Sequence, residues 1–287
     1  MIIDISKNNI VKNWCDVKSQ VEGIIIRVGY RGYGNGKIVE DKLFKSHLKG
    51  CISHEIPVGL YFMSQAITEL EAVEEAEYCV NYAKEYGAPL GIFIDSEDGD
   101  GTTRVVRADS LTKSARTKIA VAFCEAVKAY GFEAGVYASE SWFNSRLDYN
   151  TVKNYKIWVA DYGKNTGAIC STIQLPKYEM HQYTSRGSIN GIQGNVDISY
   201  VHTALVNVNP YPVPTRTLKL CSLLMHGNDV KWLQYELAHR GYLSIDDVDG
   251  WYGTITQAAV LALQADNKNK LEVDGIAGKN TVDFLKG

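Results

Sequence analysis

The chain has 287 residues, of which 45% are hydrophobic and 22% charged, with a formal net charge of −3. That length suits one large domain with a small one, or two medium ones, and the composition is ordinary for a globular protein. The slight acid excess argues against a nucleic-acid partner, and apolar runs such as 21–28 are far too short to cross a bilayer, so no membrane partner is expected either.

In chain order, the opening MIIDISKNNI lacks a basic segment followed by a long apolar one, so it does not read as a signal peptide. Synthesis in the cytoplasm without a leader is therefore expected. Apolar strands then alternate with helical pattern. Strands are expected at 2–5, 23–28, 57–63, 90–95, 134–137, 156–160, 178–183 and 195–198. The clearest helix is 68–86, opened by a capping box of Thr68 with Glu71 and stopped by Gly87. A second spans 110–130 and stops at Gly131. Helical pattern also fills the gaps after the first, second and fifth strands, whereas those after the sixth are too short or too polar for a packed crossover helix. Near-continuous apolar strands between helices imply a parallel sheet covered on its outer side, and eight strands close a barrel filled by side chains. The expected fold is α/β: an irregular TIM-like barrel of about five βα units plus three strands. An open doubly wound sheet is the alternative.

Three of the six prolines, Pro210, Pro212 and Pro214, alternate in the segment 206–215 and favour an extended connector. The expected organisation is a catalytic barrel over 1–206, a proline-rich linker over 207–217 and a small domain over 218–287. That last part carries an internal repeat. Val248-Asp-Gly-Trp-Tyr-Gly-Thr-Ile-Thr256 recurs as Val273-Asp-Gly-Ile-Ala-Gly-Lys-Asn-Thr281, and each copy leads into helical pattern, at 257–264 and 282–285. Asp-Gly makes the turn and the Thr is placed to cap the helix that follows. With an amphipathic helix at 228–237, three short helices make a compact module. The six cysteines lie no closer than 28 residues apart, which offers no zinc spacing; free thiols are expected.

The chemistry concentrates where the fourth strand ends. Ile92-Phe-Ile94 runs into Asp95, Glu97, Asp98 and Asp100. Residues two apart on a strand share a face at a spacing of about 6.6 Å, so Asp95 and Glu97 point together into the mouth of the barrel while Ser96 points away. Two carboxylates in a partly desolvated cleft push one pKa upward, which is the apparatus of glycosidic bond cleavage. The tripeptide Asp-Ile-Ser occurs at Asp4 in the first strand and again at Asp197 in the last, and closure of the barrel brings both aspartates to the same mouth. Tyr61, Tyr137, Trp158 and Tyr183 fall at other strand ends and resemble a sugar-binding groove around it. A calcium loop at Asp95 or Asp98 lacks the glycine of the sixth position; no metal and no cofactor is expected. Asp98 and Asp100 read as a solvated loop that shapes the local potential.

Across the first 205 or so positions the chain resembles glycoside hydrolase family 25, the Chalaropsis-type lysozymes. The resemblance rests on Asp4-Ile-Ser6, Pro57-Val-Gly-Leu-Tyr-Phe62, Ile94-Asp-Ser-Glu-Asp98, Gly135-Val-Tyr-Ala-Ser139, Ile157-Trp-Val-Ala160, Gln182-Tyr-Thr-Ser185 and Gly194-Asn-Val-Asp197, in that order. It implies an N-acetylmuramidase with Glu97 as general acid. Asp95 is then the carboxylate that stabilises the positively charged species or assists the substrate's N-acetyl group. Asp4 and Asp197 hold substrate or tune the pair, Tyr61 and Tyr137 line the groove, and Trp158 and Gln182 bind substrate. His181 departs from the family pattern, where a Trp often precedes Gln-Tyr, and could alter a subsite. The C-terminal repeat, with Gly227-Asn-Asp-Val-Lys-Trp-Leu-Gln234, resembles the type 1 peptidoglycan-binding domain. Gram-positive peptidoglycan is the implied partner, and a phage endolysin acting on the wall after release at lysis is the implied role. A bacterial autolysin, an inactive glycan-binding scaffold and a wall amidase or peptidase are the alternatives.

Overall fold

In a computed structural model of the chain, the described residues are 1–97, 107–202, 209, 211–244 and 247–286. Asp98, Asp100 and Pro210 lie outside them. Two compact units divide at residue 206: Met1–Val206 and Asn207–Gly287.

The first unit contains, in order, β1 (Ile2–Ile5), β2 (Ile10–Val11), α1 (Trp14–Lys18), β3 (Gly23–Arg31), β4 (Ile38–Glu40), α2 (Phe44–Ser53), β5 (Val58–Met63), α3 (Glu69–Tyr86) and β6 (Ile92–Asp95). It continues with α4 (Lys113–Ala129), β7 (Ala134–Ser139), α5 (Glu140–Ser145), α6 (Tyr149–Val152), β8 (Lys156–Ala160), β9 (Met180–Gly187), β10 (Ile192–Gln193) and β11 (Val196–Val201). The main sheet runs β1-β11-β9-β8-β7-β6-β5-β3, and pairing of β1 with β3 closes it into the expected eight-stranded barrel; β4 extends from β3 as a flap. Within the eight-stranded barrel all neighbouring pairs are parallel except those of β11, which runs antiparallel to both β9 and β1; β4 is antiparallel to β3. The reversal follows from the short stretch between β9 and β11, which has no room for a crossover helix and returns the chain as a hairpin.

Side-chain alternation sorts the strands into two cores. Outward residues such as Ile24, Ile26, Val28, Ile94 and Val136 pack under the helices, while Ile2, Ile25, Phe93, Trp158 and Met180 fill the barrel interior. Gly135 is needed here because a Cβ would sit 2.3 Å from the Phe93 ring. Helix α3 starts as expected, Glu71 N donating to Thr68 Oγ1 (3.2 Å), but the Glu71 carboxylate accepts from Ile67 N rather than from the cap residue (2.8 Å). Gly87 ends it in the left-handed region, φ 78°.

In the second unit, α7 (Asn228–His239), α8 (Thr254–Asp266) and α9 (Lys279–Lys286) surround Leu233, Tyr252, Val260 and Leu285. Within the expected linker, Asn209 donates to the Trp232 carbonyl on α7 (2.6 Å), and Tyr211 and Val213 pack against this core. The repeat threonines are not the caps the spacing suggests. Thr256 and Thr281 lie inside α8 and α9, buried, and each hydroxyl accepts from a glutamine amide of the preceding helix, Gln234 (3.0 Å) and Gln264 (3.2 Å). Each glutamine also clamps its turn. Gln234 bonds Asp249, the Trp251 carbonyl and Gly250 N; Gln264 bonds Asp274, the Ile276 carbonyl and Gly275 N.

Candidate active site

The inward face of the barrel changes character along its axis. Its floor is apolar, Ile2, Ile25, Phe93 and Met180 around the fully buried Trp158. One inward position further along each strand lie Asp4, Arg27, Asp95 and Gln182, with Tyr61 and Tyr137 between the layers. All inward residues on a strand share its two-residue parity. The strand ends thus gather a polar ring at one mouth.

Asp95 ends β6 and is 4% exposed. Its carboxyl is held well above the usual carboxylate range, first by burial, then by the charge of Glu97, against the opposing pull of Arg27. Asp95 Oδ1 is buried with no hydrogen-bond partner among the described residues. Ser96 N continues the ladder to the Tyr137 carbonyl (3.0 Å), and Ser96 is buried, so Glu97 returns to the inward parity, half-buried. Asp4 and Asp197 face each other directly in the β1–β11 register. Burial first, then the charge of Asp197, raises Asp4 well above the usual range, while Asp197 is pushed up by burial to about 6 and restrained by its hydrogen bond with Asp4. The two buried acids therefore titrate as a coupled pair, each held above the usual carboxylate range.

Gln182 orients that pair. Its Nε2 donates to Asp4 Oδ2 (2.7 Å), and its Oε1 accepts from both Tyr137 Oη (2.7 Å) and Tyr162 Oη (2.7 Å). Trp158 is 1% exposed; its indole N–H donates to Ser199 Oγ (2.9 Å) and its ring meets Tyr61 and Tyr137 edge-on at 6.2 and 4.6 Å. It lies beneath the two tyrosines rather than at the mouth. The structure thus brings Asp4, Asp95, Glu97, Tyr61, Tyr137, Gln182 and Asp197 to one end of the barrel, with Trp158 as its floor. Tyr183, expected among the aromatic ring, takes the opposite parity to Gln182 and packs in the outer core. His181 also faces away from the mouth, its Nε2 within 2.8 Å of the Asp161 carbonyl, where it braces the turn that carries Tyr162.

Tyr162 and Arg27 were not anticipated. Tyr162 continues the parity of Trp158 and Ala160 past the end of β8. Arg27 is the one charged residue in the strand 23–28 and shares the parity of Ile25. Among the described residues, no three His, Cys, Asp or Glu side chains are arranged to hold a metal ion, and no helix is long and apolar enough to cross a membrane.

Comparison with known proteins places these features in context. The model of glycosyl hydrolases family 25 matches residues 3–192, and a peptidoglycan binding domain model matches residues 226–285. The chain is 26% identical over 173 residues to the autolytic lysozyme of Clostridium acetobutylicum, covering 60% of this chain and 48% of that protein. The modular autolysin LytC from Streptococcus pneumoniae, solved with a synthetic peptidoglycan ligand, superposes with a TM-score of 0.59 at 29% identity, over 69% of this chain and 45% of that one. The catalytic domain of endolysin ply40 from bacteriophage P40 of Listeria monocytogenes gives 0.58 at 28% identity, over 71% and 93%. The chain thus spans about half the length of the autolytic lysozyme and of LytC.

Proposed function

The chain belongs to glycosyl hydrolases family 25, and from that premise we propose that it hydrolyses the β-1,4 bond between N-acetylmuramic acid and N-acetylglucosamine in Gram-positive peptidoglycan. The observation that carries the reading is the end of β6, where Asp95 and Glu97 share the inward parity of a mouth that also holds the Asp4–Asp197 pair. Glu97, half-buried where the mouth opens, acts as general acid and gives its proton to the leaving glycosidic oxygen. Asp95 stabilises the positive charge that develops at the anomeric carbon, directly or through the substrate's N-acetyl group. Water then completes the hydrolysis and Glu97 recovers its proton from it. The coupled Asp4–Asp197 pair borders that side of the mouth, and Gln182 with Tyr137 and Tyr162 fixes its geometry. Tyr61 and Tyr137 line the groove, and Trp158 stiffens them from below.

The second unit retains the enzyme on the wall; its match to a peptidoglycan binding domain model supports this. The likeness to the P40 endolysin supports a role in host lysis, whereas the autolytic lysozyme supports the same chemistry in a bacterium's own wall turnover. A membrane-pore gene beside this one favours the first.

The test is digestion of purified Gram-positive wall, following new reducing ends and new free amines in parallel. Reducing ends ending in muramic acid are expected, and free amines would move the chemistry to the peptide. Glu97→Gln is expected to lower turnover by roughly 10²–10⁴-fold, the usual worth of a general acid, while wall binding persists. Full turnover in that variant would remove Glu97 from the role.

A further inference from the structure

We propose that Tyr30 and Tyr33 form a further sugar subsite of the barrel mouth, an aromatic shelf that holds the N-acetylhexosamine next to the one at the reacting bond. The inference rests on the reading of this mouth as a site of glycan hydrolysis and adds how far along the glycan it reaches.

Strand parity alone does not bring Tyr30 to the mouth. Ile25 lies in the interior core and Arg27 shares its face, so strict alternation would continue inward to Gly29 and Arg31. The pairing of β3 with β5 slips by one residue at this point. Arg27 stands opposite Tyr61, but Gly29 opposite Phe62 and Tyr30 opposite Met63. A slip of one residue exchanges the two faces of a strand, and bulges beside active sites re-aim side chains in this way. Arg31 accordingly turns outward, where its Nε donates to the buried Glu75 of α3 at 2.7 Å. Tyr30 turns inward and joins a row of register partners, Tyr30–Met63–Asp95–Tyr137, running across β3, β5, β6 and β7. Because β3 lies two strands from β6, Tyr30 stands about 10 Å across the sheet from Asp95. That separation sets it beside the neighbouring sugar rather than the one being cleaved.

Tyr33 completes the shelf from the turn after β3. Its ring centroid lies 6.3 Å from that of Tyr30, with the planes inclined by 27°. Its hydroxyl donates to Met63 Sδ (3.4 Å), so the turn reaches over onto the same row. Further bonds pin the turn: Gly32 N donates to the Lys37 carbonyl (2.8 Å), Arg31 Nη1 to the Gly36 carbonyl (2.7 Å) and Arg107 N to the Tyr33 carbonyl (3.2 Å). The Arg31 guanidinium is itself fixed by Glu75, the two side chains being 4% and 0% exposed. A shelf held in place before the substrate arrives loses little freedom on binding. Both tyrosines are half-buried, which leaves part of each side chain open to solvent. The exposed Lys7 approaches the Tyr30 ring only to 5.9 Å, a loose contact that an incoming sugar displaces at little cost. Flat apolar surface with a polar edge suits the C–H face of a pyranose, and here it extends the groove lined by Tyr61 and Tyr137.

The experiment measures kcat/KM on peptide-free soluble wall glycans of increasing length, for the full-length protein, Tyr33→Ala, Tyr33→Phe and Tyr30→Ala. In the parent, the added sugar that reaches the shelf is expected to raise kcat/KM by about tenfold, carried mainly by KM, since the contact is made equally in the ground and transition states. Each Ala variant is expected to lose that step, whereas Tyr33→Phe, which keeps the ring, retains it. Thermal unfolding checks that the variants are folded; Tyr33, on a turn, is the safer of the two positions to truncate. A step of the parent's height in both Ala variants overturns the inference. So does a loss of the same size at every glycan length, which would make the tyrosines structural. Loss of the step in Tyr33→Phe would move the role from ring to hydroxyl and overturn the shelf as described. If the parent cleaves glycan at no length, the proposed hydrolysis itself fails; if it cleaves and the Ala variants keep the step, only the subsite falls.

Discussion

Asp197 shows how one buried proton couples the site to stability. Its folded pKa of about 6 stands above the ordinary value of 3.8 because burial disfavours the charge. The folded chain therefore holds a proton that the unfolded chain releases between these values. The stabilising contribution of that protonation is complete below about pH 4 and is lost as pH rises through about 6. Asp197→Asn removes the charge that accumulates above that window. Urea unfolding is expected to show the variant gaining about 1–3 kcal/mol relative to the parent between pH 4 and pH 7.5. An unchanged difference at the two pH values would mean that Asp197 does not hold a raised pKa in the folded chain. At this scale the sequence was a good guide to which acids gather at the mouth. Twin aspartates in repeated Asp-Ile-Ser tripeptides and a D-x-E at a strand end are conspicuous. Arg27 was not, because a single charge in an apolar run reads as part of the strand; its partner, Asp41, lies 14 residues away. Tyr162 was missed because it follows the last strand residue, although the strand's parity continues to it.

The glutamine clamps of the second unit belong to the scale of the element. Each VDGxxGxxT turn carries backbone donors that no neighbouring residue satisfies, and a glutamine from the preceding helix, Gln234 or Gln264, supplies the partner. Gln264→Ala leaves Gly275 N and Asp274 N without their acceptor and the Thr281 hydroxyl, which still donates to the Ile276 carbonyl, without its donor. Losing this set of hydrogen bonds is expected to cost about 2–4 kcal/mol together, to be read as an earlier denaturation midpoint of the Trp232 and Trp251 fluorescence. A loss below about 0.5 kcal/mol would reduce the clamp to an ordinary surface contact. The repeat itself was legible, as was the threonine's involvement, but local capping logic assigned the threonine the wrong partner. The true one lies 22 residues away for Thr256 and 17 for Thr281. The barrel strands were legible for the converse reason: hydrophobic alternation is local. The antiparallel direction of β11 is a property of the connection before it, which strand pattern alone does not carry.

At the scale of the whole molecule the chain forms two compact units, and the proposed function divides turnover from retention between them. On the proposed reading, removing residues 207–287 is expected to leave hydrolysis of short soluble glycans within about twofold. Association with insoluble wall should fall by about tenfold or more, because the retained unit loses its effective concentration at the surface. Sedimentation with wall and a soluble-substrate assay measure the two separately; equal losses in both would refute the division.

The closure of the barrel has a consequence for the order of events in the chain's life. Strand β1 lies between β3, complete by residue 31, and β11, which begins only at residue 196. Such pairing of distant segments comes late in folding, since the long loop between them must be closed first. The acidic quartet straddles that seam, Asp4 on one lip and Asp197 on the other. A nascent chain emerging end-first thus holds Asp4, Asp95 and Glu97 long before it can complete their surroundings, and on the proposed function its hydrolytic capacity arrives only when the last strand docks.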